Sequence, residues 1–370
     1  AVCRAAARHP MVALIVSVVF GVNALTGAAG RPLLRSARGC TRHFRSSVAP
    51  AAAGLSLYTH PICVAHTAGG GHPESPERLS SLIRLAKDVW APAFGDSLRI
   101  LEPEVDATDE QLLRVHTEHH VKMLKAAFAA AQERQAILSL DSDTRVCPET
   151  GAACFRASGL AIAAVDEVFS SDSSATRAFV MARPPGHHAE PEQAMGFCFF
   201  NHIMVAAAHA QEVHGKQRVA VLDFDVHHGN GDQAMCSPDA TRFYGSSHQY
   251  PCYPGTGRNP GPTGVANQVV NAPLKPGAGS AEFRAAWSDV ILPALSEFAP
   301  DAVFISAGFD AHTDDPLASL YLNDDDYEWV TAQIVEAARG VPIVSYLEGG
   351  YNIEALGRCV HAHVKALIEA

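Results

Sequence analysis

Val219-Ala-Val-Leu-Asp-Phe-Asp-Val-His-His-Gly-Asn-Gly231 decides how this chain is read. Four apolar residues run without a polar break and then switch, at Asp223, into carboxylates, imidazoles and glycines. A short continuous apolar run of this kind fits a strand buried on both faces, as in a parallel sheet covered by helices. The same switch recurs three times. Val180-Met-Ala leads into Arg183-Pro-Pro-Gly-His187-His188, Phe304-Ile-Ser-Ala into Gly308-Phe-Asp310-Ala-His, and Val344-Ser-Tyr-Leu into Glu348-Gly-Gly-Tyr351-Asn. In open α/β sheets, ligands bind outside the carboxyl ends of the strands. Four polar clusters at four such ends are therefore expected to meet at one site.

Outward from these segments the same alternation continues. Short β-branched or apolar runs at 178–182, 218–223, 242–245, 268–270, 302–306 and 342–347 read as strands. Helical patterns at 150–169, 202–214, 281–298, 324–338 and 353–368 lie between and after them. From Leu55 onward there is no repeat, no low-complexity linker and no break in composition. Residues 55–370 are expected to form one α/β domain with helices on both faces of the sheet.

The chain has 370 residues, is 48% hydrophobic and 18% charged, and can bury a large core, which excludes a disordered or fibrous protein. Its 28 Lys+Arg against 39 Asp+Glu give −11, an acidic balance that argues against direct nucleic-acid binding. The charge is uneven. Residues 1–54 hold seven arginines and no acid, and without them 21 basic residues face 39 acids, a net −18. An Arg-rich, acid-free segment has the composition of an organelle transit peptide. The apolar run 11–20 and the small residues at 26–30 add a signal-like part in front of it, so residues 1–54 read as a bipartite targeting leader for a plastid or mitochondrion. Two alternatives stand beside this. One is a membrane anchor, weakened by Ser17, Asn23 and Thr26; no stable span is expected in the mature form. The other is a gene-model artefact, since the chain does not begin with Met, in which case cytoplasm or nucleus is expected. The nine cysteines form no Cys-x-x-Cys pair, so neither a disulfide framework nor a Cys-based zinc site is indicated.

Within the leading motif, Asp223, Asp225 and His227 alternate and so share one face of an extended segment. Two carboxylates and an imidazole with no local cationic partner call for a cation between them. Asp310, at another strand end, supplies a third ligand, and two Asp with one His and an open position suit a catalytic Zn²⁺. His187 and His188, on a Pro-Pro-Gly turn near those carboxylates, suit acid and base work, with Asp223 and Asn230 as orienting partners. Tyr351 could donate to a developing oxyanion. Phe197, after Gly196, and Tyr253 are either channel walls or plain core.

These segments, with Gly196-Phe-Cys-Phe-Phe-Asn201 and Asp315-Pro-Leu317, resemble the zinc-dependent histone deacetylase family. They are most similar to its class II branch and to bacterial and organellar relatives, over roughly 55–370. The resemblance implies an arginase/deacetylase-like three-layer fold with a central, mainly parallel sheet of about eight strands. It implies hydrolysis of N-ε-acetyl-lysine in proteins or peptides by metal-activated water, the alternative being an acetylpolyamine or other small-amide hydrolase. The zinc ligands fall on Asp225, His227 and Asp310, the general base on His188, an electrostatic partner on His187 and the oxyanion tyrosine on Tyr351. A structural monovalent-cation site, usually K⁺, falls on Asp223, Asp225, His227, Ser246 and Ser247. Gly196, Phe197, Tyr253 and the gatekeeper Leu317 line the substrate channel, where Tyr253 replaces a frequent Phe. Asp143, or Asp141, grips the substrate backbone. Oligomeric state is left open.

Overall fold

A computed structural model describes residues 54–370; the leader expectation falls on residues 1–53, outside the described ones. Eight strands form one sheet: β1 (Leu55–Tyr58), β2 (Leu98–Leu101), β5 (Arg177–Val180), β6 (Val219–Asp223), β7 (Arg242–Gln249), β8 (Val269–Leu274), β9 (Ala302–Ala307) and β10 (Ile343–Leu347). Their order is β2-β1-β5-β10-β9-β6-β7-β8, and every pairing is parallel. β3 (Leu138–Ser139) and β4 (Arg145–Val146) make a separate antiparallel hairpin. The all-parallel eight-stranded sheet is the one the resemblance implies.

The expected central strands are the ones with continuous apolar runs. β6, β9 and β10 are buried at every position, because helices cover the sheet. Thr150–Val168 and His202–Glu212 pack on β1, β5, β10, β9 and β6. Ile353–Glu369 packs on Asp324–Ala337, Pro76–Leu85 and β1. Among the described residues no helix is long and apolar enough to cross a membrane.

The register explains why the polar clusters meet. Val180, Tyr346, Ser306, Asp223 and Ser246 lie side by side in one row across β5, β10, β9, β6 and β7. The motif of β6 starts in that row, at Asp223, and the others two or three residues past it. Two motifs also end in a helix cap. The Asn201 side chain accepts from Met204 N at 3.0 Å, and that of Asn352 from Ala355 N at 3.0 Å, so each motif's last residue starts the next helix.

The structure differs from the sequence reading in places. β1 and β2, four residues each, were not expected as strands, nor Pro76–Leu85 and Glu118–Arg134 as helices. β8 extends through Pro273, which an edge strand tolerates because its missing N–H need not face a neighbour. The single helix expected over 281–298 is Ser280–Ala285, a π-helical turn Ala286–Ile291 and Leu292–Phe298. Pro293 sits at the start of the last piece. Its ring cannot accept the carbonyl four residues back, and the wider turn relieves that clash.

Candidate active site

At the end of β6, Phe224 points into the core against Trp287, Phe309 and Tyr327, which turns Asp223 and Asp225 the other way. Asp225, His227 and Asp310 come together with ligand atoms within 4.8 Å of one another, all three buried. His227 Nδ1 lies 3.1 Å from Asp225 Oδ1 and 3.0 Å from Asp310 Oδ2. The backbone aims the carboxylates: Gly349 N donates to Asp225 Oδ2 at 2.8 Å, and Val226 N to Asp310 Oδ1 at 2.8 Å. A Cβ on Gly349 would run into oxygens of both Asp310 and Asp225. Burial, then the Asp225 carboxylate, push Asp310 up to about 7. Two buried carboxylates around one imidazole thus hold an excess of negative charge that a divalent cation would balance. One nitrogen and two oxygens with an open side fit Zn²⁺.

His187 and His188 lie beside this set with ring centroids 4.0 Å apart and planes tilted by 40°, and their surroundings differ. His187 Nδ1 lies 3.2 Å from Asp223 Oδ2. Burial opposes its charge, yet the Asp225 and Asp223 carboxylates hold it protonated well above the usual histidine range. His188 Nδ1 lies 2.8 Å from Asn230 Oδ1, whose own amide nitrogen donates to Glu190 Oε1 at 2.7 Å. That amide orientation assigns the proton to His188 Nδ1 and leaves Nε2 as a free lone pair. Burial and the neighbouring His187 and His227 charges keep His188 neutral, well below the usual range. The carboxylate partner therefore belongs to His187 and the amide partner to His188. Glu348 Oε2 accepts from Gly186 N at 2.7 Å and His187 N at 3.1 Å, which fixes the turn carrying the pair.

The Tyr351 ring stands edge-on to Phe197 at 5.9 Å, with the Arg78 guanidinium 4.8 Å from its centroid. Burial keeps its phenol protonated despite Arg78. Two side chains hold the backbone of its loop. Arg78 Nε donates to Gly350 O at 2.6 Å and Arg78 Nη2 to Glu348 O, while Asp315 Oδ2 accepts from Tyr351 N at 2.7 Å. Arg78 and Arg183 share Glu74, and all three side chains are fully buried.

Gly196 and Phe197 both have positive φ, +58° and +69°, and a Cβ on Gly196 would strike the His188 ring. Tyr253 meets His188 edge-on at 5.1 Å and is 38% exposed, as is Leu317, so both sit where the site opens to solvent. The β3–β4 hairpin carries the acidic loop. Asp141 Oδ1 accepts from Asp143 N and Thr144 N, so Asp141 shapes the turn and Asp143 has the freer carboxylate. Thr144 Oγ1 accepts from Phe197 N at 3.2 Å and ties the hairpin to Phe197. Asp223 and Ser246 are register partners. Ser247 Oγ is near them but accepts from Trp287 Nε1 at 2.9 Å.

The sequence reading missed Glu74, Arg78, Thr144, Asp315 and Glu348 as supports. Glu74 and Arg78 sit in His72-Pro-Glu-Ser-Pro-Glu-Arg78, where the i,i+4 charge pair was visible. Nothing local showed that it would be buried.

Buried carboxylates and histidines gathered at the carboxyl ends of an all-parallel eight-stranded sheet place the chain in the arginase and deacetylase fold class. The family model described as the histone deacetylase domain matches residues 72–367, and the chain belongs to that family. It is 39% identical over 332 residues to the histone deacetylase-like amidohydrolase of Pseudomonas aeruginosa, covering 85% of this chain and 82% of that protein. It is 35% identical over 308 residues to histone deacetylase 14, chloroplastic, of Arabidopsis thaliana, covering 80% and 73%. The crystal structure of the HDA15 HD domain superposes with a TM-score of 0.77 at 30% identity, covering 86% of this chain and 89% of that one.

Proposed function

We propose that this chain is a zinc-dependent lysine deacetylase that removes acetyl groups from N-ε-acetyl-lysine in proteins. The observation that carries the reading is the Asp225–His227–Asp310 donor set beside two histidines, one backed by the Asp223 carboxylate and the other by the Asn230 amide. Bound between those three donors, Zn²⁺ would polarise the amide carbonyl and lower the pKa of a water towards ~7. His188, with Nε2 free, takes a proton from the attacking water. His187, charged beside Asp223, stabilises the negative charge that develops. The Tyr351 phenol donates to the oxyanion. A histidine proton then passes to the departing lysine amine, giving acetate and a free amine. A structural K⁺ at Asp223, Ser246 and the Asp225, His227 and Ser247 backbone is part of the same proposal.

Phe197 and Tyr253 would flank an apolar acyl-lysine stem, and the Asp143 carboxylate would take the substrate's backbone N–H groups. Leu317 puts no acid at the gate, which favours a peptide over a polyamine. The acidic loop at Asp141 and Asp143, in a body of net −18, is what favours acetylpolyamine as the second reading. Zinc-loaded protein assayed side by side should cleave acetyl-lysine peptide faster than acetylspermidine. The reverse order would select the second reading, and no hydrolysis across a broad acyl panel would leave only a binding role. The leader composition, with chloroplastic proteins among the relatives, supports a plastid location. Fluorescent fusions of the full chain and of residues 55–370 test it: only the full chain should enter the organelle.

A further inference from the structure

Two other groups of metal-type donors occur among the described residues. In Asp166–His209–His214, Arg114 Nη1 stands 2.7 Å from His209 Nδ1, so the arginine donates there and the proton sits on Nε2, the atom that faces Asp166. That imidazole offers no lone pair to a cation. The other group is His312, Asp324 and Cys359, where the donor facing the far ring nitrogen is a backbone N–H with a carboxylate beside it rather than an arginine.

We propose that His312, Asp324 and Cys359 form a second divalent-metal site, suited to Zn²⁺ and separate from the candidate active site. Its donors come from three elements: the loop after β9, the first turn of Asp324–Ala337 and the middle of Ile353–Glu369. Asp324 Oδ1 is the meeting point, 3.1 Å from His312 Nε2 and 3.5 Å from Cys359 Sγ. Arg358 Nε occupies the other oxygen, Oδ2, at 2.8 Å, and so leaves Oδ1 as the ligand atom. His312 and Cys359 are buried, while a cleft of about 470 Å³ lined by His312, Asp314, Asp324 and Asp325 opens on one side. One nitrogen, one sulfur and one oxygen, with water from the cleft as a fourth ligand, are a donor set that zinc accepts in tetrahedral sites.

Two protons have to move. Burial and the Asp324 carboxylate hold the Cys359 thiol up, so it donates to Asp324 until a cation replaces its proton. His312 Nδ1 now accepts from Asp314 N at 3.1 Å, which puts the ring proton on Nε2. Metal capture shifts that proton to Nδ1, where Asp314 Oδ2, 3.7 Å away, can take the hydrogen bond as the Asp314 N–H turns aside. A bound ion would join the loop two residues beyond Asp310 to both helices.

The test is a Co²⁺ titration of metal-stripped full-length protein, read by bound metal per chain and by the near-ultraviolet thiolate-to-cobalt charge-transfer band. Two equivalents should bind, one of them with the band. Cys359→Ser and His312→Gln should each bind one equivalent and lose the band, the retained equivalent showing that the variant is folded. Cys252, whose thiol lies by His227, is the other thiol near a donor set, and Cys252→Ser should keep the band. Asp324→Asn should behave as Cys359→Ser does and decides the matter if the latter does not fold. A single equivalent in the wild type, or a band that survives Cys359→Ser or vanishes with Cys252→Ser, overturns the proposal.

Discussion

His187 and His188 are the same residue type one position apart, yet one partner atom each divides their roles. A carboxylate oxygen behind His187 favours its charged form, and an amide oxygen behind His188 leaves that ring neutral with a lone pair forward. Both partners lie in the motif that opens the sequence reading, so this much of the site was legible. The support of Tyr351 was not. It comes from Arg78, more than 270 residues earlier, and from Asp315. Contacts over such separations leave no local pattern. Tyr351→Phe keeps those backbone contacts and removes only the phenol. Turnover on acetyl-lysine peptide should fall ~10²–10³-fold, the scale of one oxyanion donor, with KM changed far less. Full activity would remove Tyr351 from the mechanism. Gly349→Ala acts on the ligands instead. Its Cβ must displace Asp225 or Asp310, so purified protein should carry less than one metal per chain at the first site while circular dichroism stays native.

At the scale of elements, the row of aligned strand ends converts four sequence-distant motifs into one site. That conversion was readable because β6, β9 and β10 are runs of five or six residues with at most one polar side chain before the strand's last position, which a strand covered on both faces requires. β1 and β2 are only four residues long, and β2 carries the charged Arg99, so neither stood out as a buried run. The ends also need tying together. Glu74, at the entry to the helix Pro76–Leu85, receives Arg183 from the end of β5 and Arg78, which in turn grips the loop after β10. Glu74→Gln preserves the shape and leaves two fully buried arginines without a counter-charge. Removing one partner of a buried ion pair costs about 3–5 kcal/mol, so the urea midpoint should drop accordingly. A midpoint within error of wild type would mean that water or another group satisfies the guanidiniums.

For the whole molecule, the 19 histidines of the sequence posed a question that only burial answers. Few of them belong to the candidate site. Burial pushes His116, His202, His228 and His363 down to about 3 and His248 to about 4. His120 and His188 are also lowered by burial, against three that their partners raise, His66, His187 and His227. His363 shows the cause. Thr331 Oγ1 donates to Tyr327 O at 2.7 Å and so accepts from His363 Nδ1, while Ser345 Oγ reaches Nε2 at 2.9 Å, a fit for the neutral ring alone. A lowered group is neutral in both states above the ordinary value of 6.5. Below it, the unfolded chain takes a proton that the folded one refuses, so stability is lost as pH falls towards 3–4. The raised groups act in the opposite sense, since their stabilisation is present below 6.5 and fades only as pH rises. Below 6.5 the raised histidines are charged in both states and drop out, while Asp232 and Asp310, pushed up to about 7 by burial, and Glu348, pushed up to about 8, release protons on unfolding. The seven lowered histidines outnumber these three, so unfolding takes up protons in mild acid, each worth ~1.4 kcal/mol per pH unit. Urea unfolding of the metal-stripped protein at pH 7.5, 6.5 and 5.5 should therefore show no loss in the first interval and a steep loss in the second. His363→Gln, which can keep both hydrogen bonds without titrating, should make that loss shallower by about one proton. A midpoint that holds steady or rises from pH 6.5 to 5.5 would refute the assignment of these histidines as buried neutral groups.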